Sequence, residues 1–303
     1  MGTRGLYGIR KNGIDKCTYN HFDSYPGYLG NNILEFCCND IDYLTKFFEA
    51  VELVNENELP IENQINQCIN LGLYDDSVST GSVNEWYCLL RNLQGNFKLY
   101  QELVNCKQQI YMIDNIEFIK DSLFCEYAYI INLDDLVLEY YRGFQKNPQK
   151  ENRYGTVKNE DGYYPCKLVF TIPLDDISKN NIDTLVKDMQ IGFRFENEYE
   201  RDQFYSIKEL FDLEIEDVLY LINHRVVKDE IAAIYDSKHD VGYSYVDGFL
   251  NNDLKWLNND RYINYENIGE FIVEYRDSWV QLPSKKYVLL NWGDIDAGAI
   301  QKR

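Results

Sequence analysis

The stretch GLYGIRKNGIDKCTYNHF, Gly5–Phe22, decides how the fold begins. Two β-prone segments, Gly5–Arg10 and Ile14–Phe22, flank a glycine-containing turn at Lys11–Gly13. A turn of this kind between two such segments is typical of a β-hairpin. The sequence therefore predicts a sheet that starts with an N-terminal hairpin.

A second hairpin is predicted further along, at CEYAYIINLDDLVLEYY, Cys125–Tyr141. Its two apolar and aromatic runs meet at Asp134–Asp135, where the polar pair favours a turn. Further strands are predicted at Lys167–Pro173, Ile191–Phe195 and Tyr287–Trp292. We expect an α+β fold, with a mixed or antiparallel sheet and helices packed on it.

Helical spacing of apolar residues predicts several helices. Asn31 or Asn32 is expected to cap the first one, which runs to about Val54 with an apolar stripe that includes Phe36 and Phe47. The other predicted helices cover 62–71, 83–106 with an interruption at Gly95, 176–189, 206–223 and 265–275.

The polar segment 147–164 contains two glycines and is predicted to be a linker or a mobile loop. We therefore expect an N-terminal α+β domain over 1–146 and a C-terminal α+β region over 165–303. The C-terminal region is rich in aromatic residues and is expected to be an interaction surface, with a C-terminal extension as the alternative description.

The chain carries 30 Lys and Arg against 50 Asp and Glu, a formal net charge of −20. This balance argues against direct contact with nucleic acid, because phosphates need clustered Lys and Arg. It also disfavours an anionic membrane surface. The charge serves solubility, or it forms an acidic face that docks a basic partner or competes with DNA for a basic surface.

Compartment and cofactor expectations follow from what the sequence lacks. It has no apolar export signal and no apolar run of about 18 residues, the length of a membrane span. Eight cysteines form no Cys-x-x-Cys pair, and the three histidines form no His-x-x-x-His pair. No nucleotide-binding loop is present. We expect reduced thiols, a cytoplasmic location, no cofactor and no metal. The acidic doublets at Asp134–Asp135, Asp175–Asp176 and Asp75–Asp76 are expected to lie in surface turns and not to bind a cation.

The candidate catalytic residues lie at the ends of the first hairpin: Thr3, Arg4, Asn20, His21 and Asp23. Arg4 and Asp23 are positioned to form an ion pair at adjoining strand ends. His21 is able to act as an acid or base near neutral pH. The alternative is a turn whose polar side chains only satisfy backbone donors.

The same residues carry a family resemblance. The opening Gly2–Gly5, GTRG, and the block with Tyr19, Asn20, Asp23, Tyr25, Pro26 and Gly30 resemble a family of poorly characterised proteins from phages, bacteria and some fungi. Glu126–Gly143 resembles the second recurring strand pair of that family, so the likeness covers roughly the first half of the chain. The family has no established activity, so the resemblance by itself implies little chemistry. Taken with the acidic charge, the aromatic tail and the lack of an intact catalytic signature, its phage members suggest a phage or prophage protein that blocks a host defence complex, for example a Gabija-type inhibitor.

The layout is also similar to that of hydrolases with an N-terminal nucleophile. In those enzymes the nucleophile is the first residue and its own amine is the base. Removal of Met1 exposes Gly2, which has no side chain, and Thr3 would need a second cleavage. If this scaffold is related, we expect that the activity has been lost.

Two functional hypotheses follow. The first is a non-enzymatic binding protein that inhibits a host defence complex, such as a DNA-binding nuclease, in the host cytoplasm and as a homo-oligomer. The second is a hydrolase-like or amide-bond enzyme at the N-terminal strand ends. A structural or regulatory module with neither activity is the alternative to both. The predicted binding residues are aromatic: Tyr19, Tyr25, Tyr243, Tyr245, Phe249, Trp256 and Tyr262. The tail aromatics equally suit a second small core.

Overall fold

The computed structural model describes residues 2–74, 83–93, 95–105, 109–211, 213–226, 231–236, 241–244, 256–258, 261–263 and 279–290. The described residues contain helices together with a mixed five-stranded sheet that begins with the N-terminal hairpin, so the fold is α+β, as predicted. The chain divides into two compact units, Met1–Arg194 and Phe195–Arg303. The break predicted at 147–164 lies inside the first unit, because the strand that follows it joins the same sheet as the N-terminal hairpin.

The described strands of the first unit form two sheets. They are β1 (Gly5–Lys11), β2 (Ile14–Asn20), β3 (Val51–Val54), β4 (Ile110–Ile113), β5 (Tyr127–Asn132), β6 (Val137–Arg142) and β7 (Lys167–Pro173). Five of them form one sheet in the order β2-β1-β5-β6-β7, and β3 pairs with β4. The β1–β5 pair is parallel, and the pairs β1–β2, β5–β6 and β6–β7 are antiparallel, so the sheet is mixed.

Both predicted hairpins are confirmed, and their turns are joined to each other. Asn12 and Gly13 have φ angles of 53° and 75°, the left-handed backbone that a tight hairpin turn needs. The Asp134 carboxylate accepts the backbone N–H of Asn12 at 2.6 Å and that of Gly13 at 2.9 Å. These bonds lower the pKa of Asp134, Gly13 first and Asn12 second. An acidic doublet that we placed in a turn therefore holds the first hairpin against the second.

The helices of the first unit follow the apolar stripes, with one break that the sequence analysis missed. They are α1 (Asn31–Cys37), α2 (Ile41–Ala50), α3 (Glu62–Asn70), α4 (Trp86–Leu89), α5 (Phe97–Asn105) and α6 (Ile182–Ile191). The single helix predicted from Asn31 to Val54 is wrong. The first part ends at Cys37, and Asp40 caps α2 by accepting the Tyr43 N–H at 2.7 Å. After α2 the chain continues as β3.

The strand predicted at Ile191–Phe195 is also wrong. Ile191 is the last residue of α6, and Gly192 has a φ of 79°, the left-handed conformation that commonly ends a helix. The Gly192 N–H closes the last turn on the Asp188 carbonyl at 2.8 Å. The apolar residues in this stretch therefore belong to a helix end rather than to a strand.

The five-stranded sheet has two different faces. The helix-covered face packs against the main core, which α1, α2, α5 and α6 complete; its buried sheet residues are Tyr7, Ile9, Tyr129, Ile131, Leu138, Tyr140 and Ile172. The second face packs on a smaller core with Leu6, Cys17, Ala128, Ile130 and Tyr141. This division follows the alternation of side chains along each strand.

Three tyrosines on the helix-covered face use their hydroxyl groups to hold the segments above it. Tyr7 donates to the Leu93 carbonyl at 3.0 Å, Tyr129 to the Ser24 carbonyl at 3.0 Å and Tyr140 to the Met189 carbonyl at 2.9 Å. A buried tyrosine needs such a partner. The sheet therefore fixes the 22–30 loop, the 91–96 turn and the end of α6 in place.

The described part of the second unit contains α7 (Glu198–Phe211) and α8 (Ile215–Asn223) with four-stranded and two-stranded sheets. Its strands are β8 (Ile231–Asp236), β9 (Val241–Ser244), β10 (Trp256–Asn258), β11 (Arg261–Ile263), β12 (Trp279–Gln281) and β13 (Lys286–Leu290). β12, β13, β8 and β9 pair antiparallel in that order. β13 covers part of the strand predicted at Tyr287–Trp292, and the helix predicted at 265–275 lies outside the described residues.

Candidate functional site

A large cleft opens in the first unit beside the end of the first hairpin. Its volume is about 1270 Å³. Four stretches of chain contribute to its lining: the end of β2 with the loop after it, α1 with the residues that follow it to Asn39, residues between Arg91 and Gln101, and the start of α6 with Lys179. Tyrosine hydroxyls of the sheet hold two of these stretches, at Ser24 and at Leu93, so this side of the cleft has fixed supports.

The 91–96 turn forms one wall of the cleft through a close fit with the first hairpin. The Gly95 N–H donates to the Tyr7 hydroxyl at 3.0 Å. Gly95 has a φ of 68°, and a Cβ atom at this position would lie 2.7 Å from Oδ1 of Asn20. Only glycine combines this backbone with so close an approach. Asn20 and Gly95 therefore fix where the hairpin end meets the turn.

Asn20 also organises the loop that follows β2. Its Nδ2 donates to the Ser24 hydroxyl at 2.8 Å and to the Phe22 carbonyl. The Ser24 N–H donates to the Thr3 carbonyl at 3.1 Å, and Tyr129 holds the Ser24 carbonyl. Ser24 is fully buried, although the residues around it are exposed. The loop is therefore pinned at its centre.

Three exposed aromatic side chains follow β2: Phe22 and Tyr25 lie in this pinned loop, and Tyr28 lies in the helical turn Pro26–Gly30 that continues it. Phe22 is 50% exposed, Tyr25 is 41% exposed and Tyr28 is 53% exposed. Phe22 and Tyr28 line the cleft, and the Tyr25 and Tyr28 ring centroids are 6.4 Å apart. We call these three residues the aromatic loop. Exposed rings on a rigid segment lose little conformational entropy when they bind a partner.

His21 lies between Tyr19 and the aromatic loop. Its Nδ1 is 2.6 Å from the Tyr19 hydroxyl, and its ring meets that of Phe22 edge-on at 4.2 Å. Burial lowers the pKa of His21 below the usual 6.5, and the positive charges of Arg91 and Arg4 lower it further. His21 is therefore mostly neutral at pH 7.

The structure brings three of the five catalytic candidates together. Asn20, His21 and Asp23 line the cleft, whereas Thr3 and Arg4 do not. The predicted Arg4–Asp23 ion pair is wrong: among the described residues, neither side chain takes part in an ion pair. Arg4 instead lies over the Phe124 ring at 5.3 Å, because its strand end faces that ring.

The aromatic binding candidates are only partly placed. Tyr19 packs edge-on against Phe118 at 5.1 Å, away from the cleft lining, and Tyr25 belongs to the aromatic loop. Tyr245 and Phe249 lie outside the described residues. The structure describes only the strands that contain the remaining three: Tyr243 in β9, Trp256 in β10 and Tyr262 in β11.

Several cleft residues were missed by the sequence analysis. Arg91 lies 5.5 Å from the centre of the Tyr87 ring and 6.0 Å from that of Phe22, and Lys179 precedes α6. Asn32 and Gln101 add amide groups from α1 and α5. These residues are up to about 160 positions from the hairpin end, so only the fold brings them together. The exposed rings of Phe22 and Tyr28 in a loop with glycines were the one local signal.

No protein-family model, curated protein or solved structure matches this chain.

The described residues contain neither a metal-binding cluster nor a membrane-spanning helix. The described residues contain no group of three or more His, Cys, Asp or Glu side chains arranged to hold a metal ion. They also contain no helix long and apolar enough to cross a bilayer. Asp176 of one acidic doublet pairs with Arg194 at 2.6 Å, and the Asp75–Asp76 doublet lies outside the described residues.

Proposed function

We propose that this chain is a non-enzymatic binding protein that docks on a partner protein through the aromatic loop. The observation that carries the proposal is the combination of three exposed rings with a fully buried anchor, Ser24, in their midst. Exposed aromatic residues in a fixed arrangement are the usual centres of protein interfaces. A loop that only reverses the chain direction needs no such rings.

The partner we propose is a host defence complex, in particular a DNA-binding nuclease of the Gabija type. Two observations support this choice. The Gly-Thr-Arg opening and the Tyr19–Gly30 block resemble a phage-associated family, and the net charge of −20 complements a surface that binds DNA. The protein would then compete with DNA or block the access of DNA to the nuclease.

The test uses the full chain and a triple variant, Phe22→Ala with Tyr25→Ala and Tyr28→Ala. Tagged protein is incubated with a purified Gabija-type complex, and with bacterial lysate, and the captured proteins are identified and sized. We expect a stoichiometric complex and inhibition of DNA cleavage with the wild type, and at least a tenfold loss of affinity with the triple variant, about 1.4 kcal/mol or more.

The matched control is Tyr199→Ala, which removes a ring that is 62% exposed in the first turn of α7. It should leave binding unchanged. The proposal fails if the wild type neither binds nor inhibits any defence complex, or if the triple variant binds as tightly as the wild type. Thermal unfolding of each variant shows whether the fold is intact.

A hydrolase is the second candidate, and one observation favours it. Asn20, His21 and Asp23 line one cleft, and the Nδ1 atom of His21 lies 2.6 Å from the Tyr19 hydroxyl, which orients the ring. This candidate predicts that Asp23→Asn abolishes hydrolysis of an amide or ester substrate without unfolding the chain. Thr3 does not line the cleft, so the nucleophile would have to be a water molecule or another residue.

A further inference from the structure

The cleft beside the aromatic loop is larger than a small molecule requires. Pockets for drug-sized ligands have volumes of roughly 300–1,000 Å³. This cleft is about 1270 Å³, and exposed side chains such as Phe22 and Tyr28 form part of its lining. Its size therefore suits an extended chain that enters and leaves the protein surface.

Carboxamide side chains dominate the polar lining: Asn20, Asn32, Asn39, Asn92, Asn96 and Gln101. Four of them hydrogen-bond within the fold and so stiffen the walls. The side-chain amides of Asn32 and Gln101 form no hydrogen bond with any other described residue. Each carries a donor and an acceptor in one plane, the pattern that a peptide group presents.

Charges of both signs line the cleft in equal number. Asp23 and Glu35 are the carboxylates, and Arg91 and Lys179 are the cations. Lys179 and Asp23 form no ion pair within the described part of the chain. A phosphate-rich chain would require a cationic cleft. A balanced lining instead fits a neutral backbone whose side chains carry either charge.

We infer that the cleft binds an extended polypeptide segment of the partner protein. The peptide backbone hydrogen-bonds to the amides of Asn32 and Gln101, and apolar side chains of the segment pack on Phe22 and Tyr28. Lys179 and Asp23 select charged side chains. This inference rests on the proposed function, because the segment that binds in the cleft belongs to the same partner protein that docks on the aromatic loop.

The first experiment selects binders to the full chain from a display library of random peptides about twelve residues long, which extend to ~40 Å. Enriched peptides are labelled, and their Kd is measured by fluorescence anisotropy. We expect peptides whose affinity falls at least tenfold in the double variant Asn32→Ala with Gln101→Ala. Lys179→Glu should weaken binding of peptides that carry Arg or Lys less than binding of those that carry Asp or Glu.

The matched control is Asn70→Ala, an exposed amide at the end of α3 that is absent from the cleft lining. It should leave the Kd unchanged. The inference is overturned if no peptide is enriched, or if enriched peptides bind the double variant and the wild type equally. It is also overturned if an array of oligosaccharides, screened in parallel, yields a ligand that the double variant loses while the peptides yield none.

The same variants separate this inference from the proposed function. If the partner is lost with the triple variant of the aromatic loop but retained by the Asn32→Ala and Gln101→Ala double variant, the docking surface is correct and the peptide cleft is wrong. If both sets of variants retain the partner, both proposals are wrong. Loss with both sets, at unchanged thermal stability, supports the two together.

Discussion

The two faces of the five-stranded sheet are stabilised by different interactions. On the helix-covered face a broad apolar core is crossed by tyrosines whose hydroxyls bond to backbone carbonyls. On the second face the smaller core surrounds a buried ion pair, in which Arg153 holds the Glu139 carboxylate at 2.7 and 2.5 Å. Asn132 and Tyr141 donate further hydrogen bonds to that carboxylate.

One face of the sheet positions the residues of the cleft, and the other face stabilises the sheet itself. The tyrosine hydroxyls reach the loop and the turn that line the cleft, so the helix-covered face positions the candidate site. The ion pair ties the 149–154 segment to β6, and Arg10 joins the network through Asp15 at 2.8 Å. The second face therefore secures the sheet and its hairpins, and contributes nothing directly to the cleft lining.

The largest loss of free energy of unfolding is expected for Arg153→Met. The side chain of Glu139 is only 5% exposed, and this variant leaves its carboxylate without the Arg153 cation. Removing one partner of a buried ion pair typically costs 3–5 kcal/mol, and the partial exposure of Arg153 places this loss near ~3 kcal/mol. Urea unfolding measures it. Lys120→Met, which breaks an exposed pair with Glu117, should cost less than about 0.5 kcal/mol. Equal losses for both variants would contradict the contrast between the faces.

The same ion pair predicts how stability depends on pH. Burial raises the pKa of Glu139, but hydrogen bonds from Arg153 and Asn132 outweigh burial and lower it below the usual 4.5. The unfolded chain therefore takes up the proton first as pH falls. The stabilisation is complete above the unfolded value and is lost as pH falls through the folded one.

Glu139→Gln isolates this contribution from that of the other carboxylates. The free energy of unfolding of the variant should fall less steeply than that of the wild type as pH decreases below 4.5. Parallel pH profiles for the two proteins would show that Glu139 titrates alike in the folded and unfolded chains.

On the helix-covered face the corresponding change is Tyr7→Phe. It removes the hydroxyl that accepts the Gly95 N–H and donates to the Leu93 carbonyl, although that carbonyl keeps the Asn96 N–H at 3.1 Å. An N–H group that loses its only acceptor in a partly buried site costs about 1 kcal/mol. Amide hydrogen exchange at Gly95 should accelerate more than exchange in β6. The exposed Tyr25→Phe variant should change neither quantity. Uniform acceleration across the sheet would mean that Tyr7 supports the fold in general rather than the cleft wall.

A comparable effect is expected for Asp40→Ala, which removes the cap of α2 on the helix-covered face. Loss of an N-terminal cap costs about 1 kcal/mol. Asp40→Ser keeps an oxygen that accepts the Tyr43 N–H, so its free energy of unfolding should stay close to that of the wild type. A full loss in the serine variant would show that the charge of Asp40, and not the cap, stabilises this helix.

The fold could be predicted where the sequence signals are local. Both hairpins and β7 follow from alternation and turn residues that lie within about 20 positions of one another. The β3–β4 pair could not be predicted, because Val51–Val54 and Ile110–Ile113 are four residues long and pair across nearly 60 positions. The break before Asp40 was hidden, since α1 and α2 continue one apolar stripe.

For the cleft, too, only the residues that are neighbours in the sequence could be predicted. Asn20, His21 and Asp23 were found because they adjoin in sequence, and the structure places all three in the lining. Arg91 and Lys179 join them only in the folded chain, where the Tyr7 hydroxyl holds the 91–96 turn and α6 packs on the main core of the sheet. The Arg4–Asp23 pair failed because strand ends that adjoin can still direct their side chains to different neighbours.

The smallest expected effect is a shift in the pKa of His21 at the edge of the cleft. NMR of the His21 imidazole should give a pKa below 6.5, because burial and the charges of Arg91 and Arg4 all oppose protonation. Arg91→Gln should move the pKa back towards 6.5, whereas Arg142→Gln, whose charge acts elsewhere on Tyr127, should not. Since the folded pKa lies below the unfolded one, His21 slightly destabilises the fold as pH falls through 6.5. An unchanged pKa in Arg91→Gln would show that the Arg91 charge does not act on the imidazole.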